Sequence, residues 1–286
     1  SFDEIINLGV DYLNLYPGKS PFSYVIADEI QDFSNIELRL LRNLAPEGKN
    51  DLFLVGDPLQ KIYNKQLNFS KSGINIRGRR SRRLKVNYRT TEEIRKLAMT
   101  TIQNIDFDDF DGEAESKKGY ISLMHGQLPL YKLFDTSKEE KEYLLELVQQ
   151  LVISKEISAK LDFREICLCA RTNKTINDFK TVLHKASLPY YNLKDKTGEK
   201  SGIRLSTFHN IKGLEFKAVI MVGVQEGQVP LKPYQYNNWS KLEKKYHNKR
   251  ERALLYVAMT RAIQGLYISG VGERSSLLSV EEDKAK

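Results

Sequence analysis

The stretch Tyr24-Val-Ile-Ala-Asp28-Glu29-Ile-Gln31-Asp32 constrains this chain more than any other. An apolar run ends abruptly in two adjacent carboxylates, followed by a glutamine and a third carboxylate. The run reads as a buried strand. Acids delivered at the carboxyl end of such a strand are how α/β folds hold Mg²⁺ beside a phosphate chain. A lone pair of acids after a strand is weak evidence, because acids also cap helices; the string Asp-Glu-x-Gln-Asp is far more specific. Asp28 is expected to hold Mg²⁺ through water, and Glu29 to orient or deprotonate an attacking water.

A second run, Leu52-Phe-Leu-Val-Gly56, ends in Asp57-Pro-Leu-Gln60-Lys-Ile-Tyr63. If both strands finish on one edge, Gln60 lies near the acids, where an amide can sense a terminal phosphate. By itself Gly-Asp-Pro is an ordinary turn; the preceding motif decides the reading. Further strand-like runs fall at 119–124, 131–135, 165–170, 190–193, 202–206, 217–224 and 264–270. Helical patterns fall at 2–15, 34–44, 91–103, 138–154, 174–187 and 240–262. The alternation predicts an α/β fold with a largely parallel sheet flanked by helices. Thr90-x-x-Glu93 and Ser137-x-x-Glu140 read as capping boxes.

The 286 residues suggest about two domains, with a boundary near residue 85. No window reaches the roughly 20 apolar residues of a membrane span. Ser1-Phe-Asp-Glu has neither a signal-peptide pattern nor an initiator methionine, so a piece of a longer, cytoplasmic chain is expected. The net charge of +8 favours a polyanionic partner. Cys167 and Cys169 are the only cysteines and read as strand residues in a reducing compartment, and four scattered histidines suggest no metal cluster. A basic run (Arg77, Arg79, Arg80, Arg82, Arg83, Lys85) could contact phosphates or be a plain linker. An acidic run (Asp106, Asp108, Asp109, Asp111, Glu113, Glu115) reads as a solvated loop, and the tail after Val280 as frayed.

Four more blocks follow in order. They are Leu84-Lys-Val-Asn87-Tyr88-Arg89-Thr90, Cys169-Ala-Arg171-Thr-Asn173, Arg204 to Phe216 with its sequel Glu226-Gly-Gln-Val-Pro230, and Arg252 to Ala262. Together with the first two, this ordered set resembles the motifs of UvrD/Rep-type superfamily 1 helicases over residues 24–262. The resemblance implies RecA-like domains of the P-loop NTPase helicase type. Residues 1–84 would be the latter part of a first motor domain, and 85–286 a complete second one without a large accessory insertion. It further implies ATP and Mg²⁺ as cofactors and single-stranded DNA as partner, with RNA open.

By the same resemblance, Arg89 and Arg261 reach the γ-phosphate, Gly213 lets backbone approach the phosphates, and Glu215 accepts from the ribose. Thr207, His209, Arg171 and Asn173 touch the nucleic-acid backbone, and Tyr63 either stacks on a base or belongs to the core.

The phosphate loop G-x-x-x-x-G-K-[ST] does not occur in this sequence. Gly18-Lys19-Ser20 imitates its ending, but Leu13 stands where the first glycine belongs, and the triplet follows a helix rather than a strand. It reads as a turn after Pro17, and the true loop is expected in an N-terminal region of the same protein. Asn64-Lys65-Gln66 replaces the family's wedge aromatic, which leaves that base stack in question. Two alternatives stay open: a catalytically silent nucleic-acid-binding or regulatory module, and the helicase part of a nuclease-fused protein.

Overall fold

The computed structural model describes residues 1–63, 65, 67–103, 105–107, 110, 119–153, 160–192 and 201–278. Most of the acidic run, positions 64 and 66, and the tail after 280 therefore lie outside the described residues. The chain clusters into two compact units, Ser1–Leu84 with Ile105–Lys118, and Lys85–Asn104 with Gly119–Lys286. The sequence reading put 105–118 with the second domain. Phe110 shows why it belongs with the first: its carbonyl accepts from Phe69 N at 3.2 Å, and the two rings meet edge-on at 5.9 Å.

In the first unit, α1 (Phe2–Leu15) and α2 (Asn35–Asn43) each start at a serine capping box, Ser1 with Glu4 and Ser34 with Glu37. Strands β1 (Val25–Ala27) and β2 (Leu52–Leu54) run parallel, with Ala27 beside Leu54. One side of this pair buries Ala27, Ile30, Leu38, Phe69, Ile74 and Phe110. The other side is bare: Ile26 is 69% exposed and Phe53 63%. Pro17–Lys19 is a short 3₁₀ turn between α1 and β1, as the reading of Gly18-Lys19-Ser20 requires.

The second unit begins with β3 (Val86–Thr91) and α3 (Glu92–Ile102), then β4 (Ile121–Met124), which pairs parallel to β3. No strand is expected at β3 from the sequence pattern, because its exposed Tyr88 and Arg89 break the apolar run. Next come β5 (Leu130–Phe134), α4 (Ser137–Ile153), β6 (Ile166–Ala170), α5 (Asn173–Lys185), β7 (Tyr190–Asn192) and β8 (Ile203–Thr207). The order closes with β9 (Phe216–Val222), α6 (Lys241–Met259) and β10 (Ala262–Val271). They form a six-stranded sheet in the order β5-β10-β9-β6-β8-β7, parallel throughout. β6 sits inside and is buried at all five residues, the mark of a parallel strand covered on both faces. Leu144, Val148, Ile176 and Leu183 from the helices pack on Leu168, Leu205 and Ile220. Chain order reverses around β6, so the carboxyl ends of β6, β8 and β9 form the crevice where α/β sheets bind ligands.

Neither capping box expected from sequence forms as read: α3 has a lone cap, and the box at α4 sits one residue earlier. Thr91, not Thr90, caps α3, while Glu93 accepts from Gly126 N. Thr136 and Glu139 form the reciprocal pair at α4. Glu140 turns inward, 3% exposed, to accept from Gly223 N at 2.9 Å and Ser269 Oγ at 2.7 Å. Among the described residues no helix is long and apolar enough to cross a membrane.

The two units predict opposite responses to truncation. Leu168→Ala, at a position 0% exposed, should cost about 2–5 kcal/mol in denaturant unfolding. Ile26→Ala on the bare face should change stability by less than about 0.5 kcal/mol.

Candidate functional site

β1 and β2 end side by side, and their backbone pairing continues one step into the loops. Val55 N donates to Ala27 O at 2.9 Å, and Ile30 N to Val55 O at 3.1 Å. Asp28 and Glu29 leave β1 through a sharp turn. Glu29 adopts a left-handed conformation with φ 53°, uncommon for a residue with a side chain. The Asp28 Oδ1 atom accepts from Glu29 N at 2.7 Å, and the carboxylate is otherwise exposed.

Gln31 holds this turn. It is 1% exposed; its Oε1 accepts from Asp57 N at 3.0 Å, and its Nε2 donates to Glu29 Oε2. One buried amide thus ties the acid turn after β1 to the turn after β2. Gly56 makes room for it, since a Cβ there would lie 2.7 Å from Gln31 Oε1 and closer still to Ile30. Asp57 then caps the Pro58–Gln60 turn, accepting from Leu59 N and from Gln60 Nε2, both at 2.9 Å. Asp28, Glu29 and Gln60 therefore share one sheet edge, and Tyr63 follows at 44% exposure. Sequence reasoning quoted Gln31 but gave it no role. Its burial between two polar loops is the missing signal.

Mg²⁺ takes few protein ligands and keeps several waters, using one or two carboxylates beside phosphate oxygens. An exposed Asp28 with a second carboxylate alongside fits that donor set. No group of three or more His, Cys, Asp or Glu that could cage a metal occurs among the described residues.

In the second unit, Asn87 builds the turn at Arg89: its Oδ1 accepts from Arg89 N at 2.7 Å, and its Nδ2 donates to Thr90 Oγ1 at 2.8 Å. Arg89 Nε then pairs with Glu215 Oε2 at 2.7 Å, both side chains about half exposed. Two residues expected on one nucleotide are thus partners of each other. Gly213, two residues before Glu215, has φ 78° and an open surround, so its backbone is accessible.

Three positions differ from the expected exposure. Arg261 is 2% exposed, its Nε donating to Val257 O at 3.1 Å and its Nη2 to Thr260 Oγ1 at 3.3 Å. Arg171 is sealed in a bidentate pair with Glu251, at 2.9 and 2.6 Å. Thr207 is 8% exposed, and its Oγ1 accepts from Asn210 Nδ2 at 2.8 Å. Asn173 is exposed in the first turn of α5, and His209 is partly buried. Burial, then the Arg171 charge, push the His209 imidazole below its ordinary pKa, which keeps it neutral near pH 7. Burial would raise the Glu251 carboxyl. The Arg171 hydrogen bonds and charge, with Leu231 N–H, outweigh that and hold it below the usual carboxylate range. Glu251 was invisible in sequence because it sits in the charged string Lys-Arg-Glu-Arg, where nothing marks one charge as buried.

Comparison with known proteins adds an independent finding. The UvrD-like helicase C-terminal domain matches residues 82–198 and 191–273, and the UvrD/REP helicase N-terminal domain matches residues 11–68. A Mycoplasma pneumoniae protein described as a probable DNA helicase is 26% identical over 262 residues, covering 88% of this chain and 44% of the relative. The ATP-dependent DNA helicase srs2 of Schizosaccharomyces pombe is 26% identical over 172 residues, covering 58% and 18%. The crystal structure of the C-terminal domain of a possible DNA helicase from Lactobacillus plantarum aligns at TM-score 0.46 and 18% identity, over 68% of this chain and 92% of that one. The chain spans less than half the length of these two curated relatives.

Two substitutions probe the local wiring. Gln31→Leu strands the Asp57 N–H and should cost about 1–3 kcal/mol of first-unit stability in urea unfolding. Arg171→Met leaves Glu251 buried and unpaired and should cost about 3–5 kcal/mol, most of it recovered by adding Glu251→Leu. The folded Glu251 carboxyl lies below its unfolded value of about 4.3, so its contribution is complete above about pH 5 and is lost as pH falls through the folded value. The stability gap between the unaltered chain and Glu251→Gln should accordingly shrink on acidification.

Proposed function

This chain belongs to the UvrD/Rep-type superfamily 1 helicases, and from that premise we propose that it forms part of an ATP-dependent DNA helicase or translocase. The protein would couple ATP hydrolysis to movement along single-stranded DNA, in the 3′-to-5′ direction. The observation that carries this reading is the shared edge of β1 and β2, where one buried amide holds the acid turn and the Gln60 turn together.

Bound there, Mg²⁺ would neutralise phosphate charge, held through water by Asp28. Glu29 is the proton acceptor for the attacking water. The Gln31 amide orients its carboxylate by donating to it. Gln60 senses the terminal phosphate. Arg89 and Glu215 exchange their mutual pair for nucleotide contacts, the guanidinium to phosphate oxygens and the carboxylate to the ribose. Gly213 supplies backbone close to the phosphates. Arg261 adds positive charge toward the γ-phosphate once its side chain turns out of its buried site. On the nucleic-acid side, Thr207, His209 and Asn173 lie at or just beyond the carboxyl ends of β6 and β8. Arg171 acts through Glu251, shaping that edge rather than reaching a phosphate itself.

A further segment of the same protein, bearing the phosphate loop, completes the catalytic apparatus. The bare Ile26 and Phe53 face supports this, because parallel sheets are ordinarily covered on both faces.

The test is ATP hydrolysis with and without single-stranded DNA. In the whole protein, Glu29→Gln should lower DNA-stimulated turnover by about 100-fold or more while ATP binding persists. Residues 1–286 alone should turn over little ATP. Brisk Mg²⁺-dependent hydrolysis by those residues, abolished by Glu29→Gln, would contradict the proposal.

A further inference from the structure

Between β9 and the apolar half of α6 lies a segment that the proposed ATPase does not use. Residues 231–250 carry six Lys or Arg against one acid, Glu243, together with four aromatics. That acid is committed to a capping box, accepting from Ser240 N and Oγ, both at 2.7 Å. The segment is anchored, not frayed. Tyr236, Trp239 and His247 form a three-ring cluster with centroids 5.6, 5.5 and 5.3 Å apart. His247 Nε2 meets Leu231 O at 2.7 Å, and Lys244 Nζ donates to Asn237 O at 3.1 Å.

The rings that build this cluster are not the rings that face solvent. Tyr234 is 103% exposed and Tyr246 is 59% exposed. Leu242, at 60%, lies one turn before Tyr246 on α6. Lys241 and Lys245 are exposed on the adjoining strip, and neither makes a hydrogen bond or ion pair among the described residues. His247, Glu251 and Leu254 take the buried side of the helix. The outer face of α6 and its leading loop therefore present exposed aromatic rings beside unneutralised lysines.

We propose that this surface is a second single-stranded nucleic-acid contact, with Tyr234 and Tyr246 stacking on bases and Lys241 and Lys245 meeting phosphates. Charge complementarity selects a polyanion. The aromatics select one with a regular run of exposed π-faces, which polyglutamate and the stacked bases of a duplex do not offer. The ring cluster and the Ser240 capping box anchor the backbone that carries these side chains, which lowers the ordering cost of such a contact. This contact is distinct from the strand-end positions Thr207 and His209, and it extends the proposed nucleic-acid path onto α6.

The experiment is fluorescence anisotropy of a fluorescein-labelled oligothymidylate of about 20 nucleotides with residues 1–286, titrated over a range of KCl. Tyr234→Ala with Tyr246→Ala should weaken binding about tenfold or more and leave the salt slope unchanged. Lys241→Ala with Lys245→Ala should lower the log–log salt slope by about one to two. Unchanged thermal melting should accompany both, since neither pair packs in a core. Thr207→Ala with His209→Ala reports separately on the motif-based reading. If those variants lose binding and the α6 variants do not, the α6 contact is refuted and the helicase reading stands. No oligonucleotide binding by the unaltered chain, or equal affinity for polyglutamate, also refutes it.

Discussion

Every pairing among the named strands is parallel, and that constraint decides where this chain can do chemistry. Parallel neighbours need a crossover, so each strand leaves its sheet at the same edge as the next. Polar residues that follow the strands are thereby gathered without any proximity in sequence. Asp28 and Gln60 come to one sheet edge in this way in the first unit, and Arg171 and His209 do so in the second. Gly56 and Gln31 show how little else is required: one missing side chain and one buried amide lock two loops into register.

The two units carry this constraint to different degrees. β6 is buried at every residue, and α4 and α5 pack together on the face that carries Leu168. The β1–β2 pair has a core on one side alone, with Ile26 and Phe53 turned to solvent. Burying one large apolar side chain is worth about 1.5–3 kcal/mol, so the uncovered face represents stability not realised within these residues.

Much of this was legible in the sequence. The apolar runs gave the strands to within a residue or two, and the acids after β1 marked the edge. What escaped was whatever depends on burial of a polar group. Glu140 reads as a capping acid and Glu251 drew no reading at all, yet each is a buried acceptor with specific donors. Glu140 even mimicked a capping residue, because Ser137-x-x-Glu140 and the true Thr136–Glu139 pair differ by one position. Arg171 and Arg261 read as outward-reaching cations because a sequence shows charge but not what surrounds it. β3 escaped because its two buried residues are the threonines Thr90 and Thr91, so the strand carries no apolar stripe.

The central claim is that the edge after β1 holds metal and phosphate together, and Asp28 is where it is most exposed to test. Mn²⁺ in place of Mg²⁺ allows direct observation by electron paramagnetic resonance of the whole protein with an ATP analogue. The account predicts a protein-bound Mn²⁺–nucleotide spectrum that Asp28→Asn weakens or abolishes, with nucleotide binding itself largely retained. An identical bound spectrum in the variant would place the metal elsewhere and contradict the account.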